Sequence, residues 1–315
     1  MLRSEISALL GIQYPVFQGG MAWIADAKLA AAVSEAGGLG IISAMNTDSD
    51  WLRTEIRKTR ALTDKPFGVN IMLMSPAAAE TAQVVVEEGV PVVTTGAGNP
   101  ARYMEGWRAT GIKVIPVVAS VAFARLMERI GASAVIAEGG ESGGHVGDLT
   151  TMVLVPQVCD ALRIPVVAAG GIADGRGMAA CLMLGASGVQ LGTRFLMARE
   201  CAIHKNYRSK LIKASDTATI VTGRRSGHPI RALKSPMTRK YAEWEFDSSV
   251  NDEELTALRA GGLRKAVVEG SEAEGYFMAG QVAGMLKNEE TAAEIVHSIV
   301  REAEALLKGC GRWLE

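Results

Sequence analysis

The 315-residue sequence predicts an α/β fold, a (β/α)8 TIM barrel with a small lid or insertion after the eighth strand. From residue 14 to residue 198, short segments rich in Val, Ile and Leu alternate with amphipathic helical segments. The short segments are largely continuous apolar runs and do not alternate with polar residues, which is typical of strands buried on both faces. There are eight of them, which fits a closed barrel better than the alternative, an open doubly wound sheet.

The elements follow one another in a regular order. The predicted strands are residues 15–18, 39–43, 67–72, 90–95, 113–118, 133–138, 165–169 and 188–192. The predicted helices between them are residues 26–36, 48–62, 77–88, 100–110, 120–130, 151–162 and 174–184. Several of these helices end at glycine, and the first begins after Asp26, a suitable N-cap. A last helix is predicted over residues 289–308, which carry an apolar stripe.

The strand–helix alternation stops after Phe195. Residues 199–275 are polar, contain a basic cluster at 223–234 and show no clear strand–helix pairs, so we expect a lid over the barrel mouth. The basic cluster is either a solvated face or a surface for an acidic carrier protein or a nucleotide phosphate. We therefore predict a barrel formed by residues 1–198 and 276–315, with residues 199–275 as the lid.

Composition limits the function. Lys plus Arg total 33 and Asp plus Glu total 34, so no nucleic-acid or membrane-surface binding is expected. No signal peptide and no apolar run of membrane-spanning length is evident, and the four widely spaced cysteines are expected to be reduced; we expect a cytoplasmic protein. The scattered histidines predict no metal site, and Rossmann, P-loop, HExxH and GxSxG motifs are absent.

Two neighbouring strand ends carry glycine. The seventh predicted strand ends at Gly170 and Gly171, and the eighth at Gly192 and Thr193. Backbone N–H groups at such turns can approach a phosphate closely, and many (β/α)8 barrels bind phosphate after these two strands. The sequence therefore predicts a divided phosphate site.

Other strand-end loops carry candidate functional side chains. Residues 138–147 display Glu138 and His145 among five glycines, so His145 is a candidate catalytic group, or it caps a turn. Asn70 either binds the edge of a heterocycle or ties neighbouring loops together. Gly20 and Met21 follow the first strand and can lie against a ring.

Motifs along nearly the whole chain resemble one family. They are F-Q-G-G-M-A-W, A-G-G-L-G-I-I, F-G-V-N-I-M, T-T-G-A-G-N-P, A-E-G-x-E-x-G-G-H-x-G, A-A-G-G-I-A-D-G, Q-L-G-T-R-F, G-H-P-I-R-A-L-K and M-A-G-Q-V-A-G. Together they resemble the flavin-dependent enoyl-acyl-carrier-protein reductase II, within the superfamily that includes the FMN-dependent nitronate monooxygenases. Glu138 favours the reductase, because nitronate monooxygenases usually carry Gln at that position. The motif T-G-A-G-N-P at residues 95–100 and the segment around 223–240 also resemble the reductase.

The resemblance implies an FMN site and a reaction. The residues it assigns to FMN are Gly20, Met21, Asn70, Glu138, Gly143, Gly170, Gly171, Gln190, Gly192, Thr193, Gly280 and Gln281, with His145 near the substrate. It implies ping-pong hydride transfer from NADH or NADPH to an enoyl thioester on acyl carrier protein, in bacterial fatty-acid elongation, with a monovalent cation as a possible activator. A homodimer is expected for an enzyme of this size. The alternatives are a nitronate monooxygenase, which uses O2, and a non-catalytic phosphate-binding barrel.

Overall fold

Eight parallel strands form the centre of the molecule. The computed structural model describes residues 2, 4–45 and 48–313. The strands are β1 (Val16–Gln18), β2 (Gly40–Ser43), β3 (Phe67–Met72), β4 (Val92–Gly96), β5 (Lys113–Val118), β6 (Val135–Glu138), β7 (Gly144–His145), β8 (Val166–Ala169), β9 (Gly188–Leu191), β10 (Thr219–Thr222) and β11 (Ile230–Leu233). The helices are α1 (Glu5–Leu10), α2 (Ala27–Glu35), α3 (Ser49–Leu62), α4 (Ala78–Glu87), α5 (Ala101–Ala109), α6 (Val121–Arg129), α7 (Thr151–Ala161), α8 (Gly175–Met183), α9 (Lys205–Ile212), α10 (Pro236–Glu245), α11 (Asp252–Arg259), α12 (Gly262–Arg264) and α13 (Ala292–Lys308).

The central sheet closes on itself. Its strands pair in the order β1-β9-β8-β6-β5-β4-β3-β2. A parallel bridge between Phe17 and Leu39 joins the two ends, and the N–H of Gln18 donates to the carbonyl of Leu39 over 2.9 Å. The predicted TIM barrel is thereby confirmed, and the open sheet is excluded.

The predicted elements match the barrel closely. All eight predicted strands are barrel strands, and the bounds of β3 and β5 are the predicted ones. Helix α1 is an addition that the sequence analysis did not contain. Its Ile6 and Leu10 pack with barrel-interior side chains such as Phe17 and Ile115, so α1 closes the amino-terminal end of the barrel.

The terminal helix packs on the outside of the barrel. Helix α13 begins with a capping box between Thr291 and Glu294 and lies against α2 and α8. Its contact with α8 is close, because a Cβ on Gly175 would lie 2.5 Å from the backbone nitrogen of Ala303. No described helix has both the length and the apolar character that crossing a membrane requires.

Residues 199–275 contain more regular structure than the sequence analysis predicted. Strands β10 and β11 pair antiparallel, and β11 pairs in turn with β7, which belongs to the loop after β6. In this register Ile230 lies opposite His145, and Arg231 lies opposite Gly144. The polar segment therefore lies directly against the strand-end loop that carries His145. Its bounds as a separate lid remain a prediction.

Candidate active site

A cavity of about 510 Å³ opens at the carboxyl ends of the barrel strands. Among the residues that line it are Gly20, Met21, Asn70, Glu138, Gly143, His145, Gly170, Gly171, Gln190, Gly192, Thr193 and Gly280. The structure thus brings twelve of the thirteen predicted site residues together. Gln281 is the exception, because its side chain is exposed and only its backbone N–H, which donates to the carbonyl of Glu141 over 2.9 Å, contributes to the loop packing.

The two glycine turns lie side by side. Strands β8 and β9 are paired, with Ala169 opposite Gln190, so the turns that follow them are neighbours. Gly170 and Gly171 have φ values of +92° and +71°, which side chains other than glycine rarely adopt. Within the described residues, the N–H of Gly171 donates no hydrogen bond. The pair of turns can therefore donate to an anionic group of a ligand.

The backbone at Ala279 and Gly280, near the C-terminus, closes one side of this cavity. The backbone N–H of Gly280 donates to Oγ1 of Thr193 over 2.8 Å. A Cβ on Gly280 would lie 2.7 Å from the carbonyl oxygen of Glu141, and a Cβ on Gly143 would lie 2.7 Å from the backbone of Ala279. Both glycines are therefore required by the close backbone contact between this segment and the 138–147 loop.

Two carboxamides face the cavity beside the first strand. Oδ1 of Asn70 accepts from the hydroxyl of Thr94 over 3.0 Å, which fixes the amide and leaves its Nδ2 without a partner among the described residues. The Gln190 side chain is buried and likewise has no hydrogen-bond partner in the described chain. A Cβ on Gly20 would lie 2.3 Å from Cβ of Asn70, so glycine is needed there. The Asn70 side chain thus joins β3 to β4 and leaves an amide donor free at the cavity.

Glu138 supplies a carboxyl group with an unusual pKa. It is the last residue of β6, it lines the cavity, and burial raises its pKa to about 7. The nearby hydroxyl of Ser142 opposes this shift, although the two groups make no well-formed hydrogen bond. Oγ of Ser142 is itself buried without a partner in the described structure. At neutral pH this carboxyl can therefore carry a proton and donate a hydrogen bond.

His145 reaches the cavity from β7. The imidazole is exposed at the cavity mouth, yet partial desolvation by the surrounding loops lowers its pKa, and the positive charges of Arg259 and His228 lower it further. Its strand is held by the pairing with β11 and by the N–H of Val146, which donates to the carbonyl of Pro229 over 3.1 Å. The neutral imidazole is consequently favoured, with one ring nitrogen as donor and the other as acceptor.

Two further residues hold the 138–147 loop in place. The backbone N–H of Thr151 donates to the carboxylate of Glu141 over 2.9 Å, and its hydroxyl donates to the carbonyl of Gly170, also over 2.9 Å. Nε and Nη2 of Arg231 both donate to the carbonyl of Gly140, over 3.1 Å and 2.9 Å. Sequence reasoning missed both residues, and the only signal was that Arg231 lies in the basic cluster.

The cavity suits an organic ligand with an anionic end. In the described part of the chain, no three His, Cys, Asp or Glu side chains come together as a metal-binding cluster. The donors that face the cavity are backbone N–H groups, carboxamides and a protonatable carboxyl, which bind a phosphate and a polar heterocycle.

Comparisons with known proteins show which family this chain resembles. The structure of FabK from Thermotoga maritima superposes with a TM-score of 0.97 at 49% identity, covering 100% of both chains. A curated relative in Mycobacterium tuberculosis, (3aS,4S,5R,7aS)-5-hydroxy-7a-methyl-1-oxo-octahydro-1H-indene-4-carboxyl-CoA dehydrogenase, is 35% identical over 96% of both chains. A probable nitronate monooxygenase of Staphylococcus saprophyticus is 32% identical over 97% of this chain and 99% of its own. The family model for nitronate monooxygenase matches residues 3–302, and the chain therefore belongs to this family of oxidoreductases.

Proposed function

We propose that this protein is an FMN-dependent enoyl-acyl-carrier-protein reductase, which uses NADH or NADPH to reduce trans-2-enoyl thioesters in fatty-acid elongation. The observation that carries the proposal is the full-length likeness to FabK, the reductase II that the sequence motifs also resemble. Glu138 supports the proposal, because nitronate monooxygenases usually carry Gln at this position.

The described residues fit FMN. The adjacent turns at residues 170–171 and 192–193 would hold its phosphate, and a side chain larger than hydrogen at Gly170 would meet the carbonyl of Gly139 at 2.7 Å. Asn70 and Gln190 offer free amide groups to the polar edge of the ring. Bound there, FMN would supply the chemistry of hydride transfer, from the nicotinamide to its N5 and from N5 to the β-carbon of the enoyl thioester.

The chain's own residues would position the substrate and keep water away. The packing of Gly280 against the 138–147 loop closes one side of the cavity, so the reacting groups are held in a confined space. His145 would orient the thioester carbonyl or supply the proton that reaches the α-carbon. Its lowered pKa favours the neutral ring, whose N–H would donate a hydrogen bond to that carbonyl.

A second candidate function is oxidation of alkyl nitronates with O2. The family model and the staphylococcal relative favour it, and the same cavity would hold the same flavin. This activity requires no NADH or NADPH.

Anaerobic mixing experiments separate the two functions. The purified protein should be yellow, NADH or NADPH should bleach it rapidly, and crotonyl thioester should restore the colour, whereas a saturated butyryl thioester should not. His145→Ala should retain FMN and lose most crotonyl-thioester reduction. Slow bleaching together with rapid turnover of a nitronate in air would favour the second candidate, and a colourless protein that takes up no flavin would contradict both.

The expectations for acyl carrier protein as partner, for a cation, for a homodimer and for the cytoplasm remain predictions. Acyl carrier protein is supported by the likeness to FabK.

A further inference from the structure

The cavity has an apolar side at the ends of β3, β4 and β5. Among the described residues that line the cavity, the ionisable side chains are those of Glu138, Glu141, His145 and His228, and none of them follows these three strands. A ligand group on this side therefore gains free energy from apolar contact rather than from ion pairs. The residues that form this side, which we call the apolar wall, are Met72, Met74, Gly96, Ala119 and Phe123.

The sheet register directs the end of β4 into the cavity. Asn70 lies opposite Thr94, and Met72 lies opposite Gly96. The hydroxyl of Thr94 donates to Oδ1 of Asn70, which lines the cavity, so this pair of side chains faces inward. Because residues two apart in a strand share a face, a side chain at position 96 would point into the cavity beside Met72.

Position 96 is the place where the apolar wall has room. A Cβ on Gly96 would meet no atom within 4 Å, and the φ of Gly96 is not in the positive range that favours glycine. The cavity glycines described above differ, because a Cβ on Gly20, Gly143 or Gly280 would lie 2.7 Å or less from a neighbouring atom. Packing within the chain therefore does not require glycine at position 96, and its missing side chain leaves space open to a ligand.

The apolar wall connects the candidate catalytic loop with the edge of the cavity. A Cβ on Gly147 would lie 2.8 Å from Cβ of Ala119, so the loop that carries His145 contacts one end of the wall. Met74, at the other end, is 54% exposed. In the closed sheet, β4 lies four strands from β9 in either direction, so the wall faces the glycine turn at residues 192–193 across the barrel. A chain attached to a group beside His145 can therefore extend along the wall, away from that turn.

We propose that the apolar wall binds the hydrocarbon chain of the acyl thioester, and that the open space at Gly96 determines how long a chain fits. This inference rests on the proposed function, which supplies a substrate of this kind. Met72 and Met74 are flexible side chains, so the wall can adapt to chains of different length. Each methylene group that the wall covers strengthens binding without any change at the thioester.

Equilibrium binding of saturated thioesters measures the contribution of the apolar wall without any turnover. The protein with FMN bound is titrated by calorimetry with butyryl-pantetheine and with octanoyl-pantetheine, which have no double bond to reduce. We expect the octanoyl thioester to bind at least about tenfold more tightly, since each buried CH2 can contribute up to about fourfold. Gly96→Leu fills the open space and should reduce this preference to below about threefold, and the smaller change Gly96→Ala should remove part of it.

Gly106→Leu is the matched control. Gly106 lies on the exposed surface of α5, and a Cβ there also meets no atom within 4 Å. This variant carries the same substitution outside the cavity, so it should keep the full preference for the octanoyl thioester.

The affinity of each variant for FMN identifies what covers the apolar wall. Loss of the preference in Gly96→Leu with unchanged FMN affinity supports the acyl chain, whereas weakened FMN binding would mean that the flavin ring lies there and would overturn the inference. Equal binding of the two thioesters to the unaltered protein, binding of neither, or a preference that survives in Gly96→Leu would also overturn it. If the preference behaves as expected but enoyl thioesters are not reduced, the proposed function fails and the chain-binding site stands. If enoyl thioesters are reduced but the preference survives in Gly96→Leu, the function stands and this inference fails.

Discussion

Replacing Glu138 with Gln should change how the stability of the protein depends on pH. Glu138 is half-buried at the end of β6, where it lines the cavity, and desolvation of its carboxyl raises its pKa from 4.5 to about 7. Since the folded state holds this proton more tightly than the unfolded state does, the free energy of unfolding contributed by Glu138 is greatest below pH 4.5. It falls as the pH rises from 4.5 to about 7, where ionisation of the buried group becomes costly.

The size of the effect follows from the shift. Each pKa unit corresponds to about 1.36 kcal/mol, so raising the pH from about 5 to about 8 should lower the unfolding free energy by about 2.5 kcal/mol through this one group. Gln has nearly the same shape and does not titrate. The Glu138→Gln variant should therefore lose about 2.5 kcal/mol less than the unaltered protein over the same pH range.

Urea unfolding of flavin-free protein at the two pH values measures this difference. The change in unfolding free energy between the two pH values is measured for both proteins. Subtracting the variant's change from that of the unaltered protein cancels the contributions of the other titrating groups. Glu253→Gln, at an exposed position in the first turn of α11, controls for the loss of one carboxyl elsewhere. A difference below about 0.5 kcal/mol would refute the reasoning, because it would mean that the Glu138 carboxyl is not desolvated in the folded protein.

Two further substitutions test the geometry of the site. Gly20→Ala should displace Asn70, whose Cβ lies 2.3 Å from the added methyl group, and should weaken FMN binding at least tenfold in fluorescence titrations, whereas unchanged affinity would contradict the assigned contact. Arg231→Ala should remove both hydrogen bonds to the carbonyl of Gly140, so limited proteolysis of the 138–147 loop should accelerate and thioester reduction should fall. Cleavage at the original rate would show that β7 pairing alone holds this loop.

Local patterns made the barrel predictable. Buried parallel strands such as β3 and β5 are mostly apolar, and several of the helices between strands are followed by glycine, so both kinds of element can be recognised from short stretches of sequence. Helix α1 has only six residues, which is too short for a helical period to be recognised. Strands β10 and β11 are short and partly polar. Strand β11 also pairs with β7, which lies more than 80 residues earlier in the sequence, so local patterns do not reveal this small sheet.

The site was predictable where it depends on glycine. The turns at residues 170–171 and 192–193 are visible because glycine at the end of an apolar strand is itself the signal. The role of Arg231 was not visible, because its acceptor, the carbonyl of Gly140, lies 91 residues away in the sequence.

The relative affinity of the flavin-free protein for FMN and riboflavin tests most directly whether the paired glycine turns bind a phosphate. The two ligands share the ring and the ribityl chain and differ only in the phosphate. We predict that FMN binds at least about 100-fold more tightly, since several backbone N–H groups can donate charge-assisted hydrogen bonds to it. Equal affinities would contradict the account, because the turns after β8 and β9 would then contribute nothing to cofactor binding.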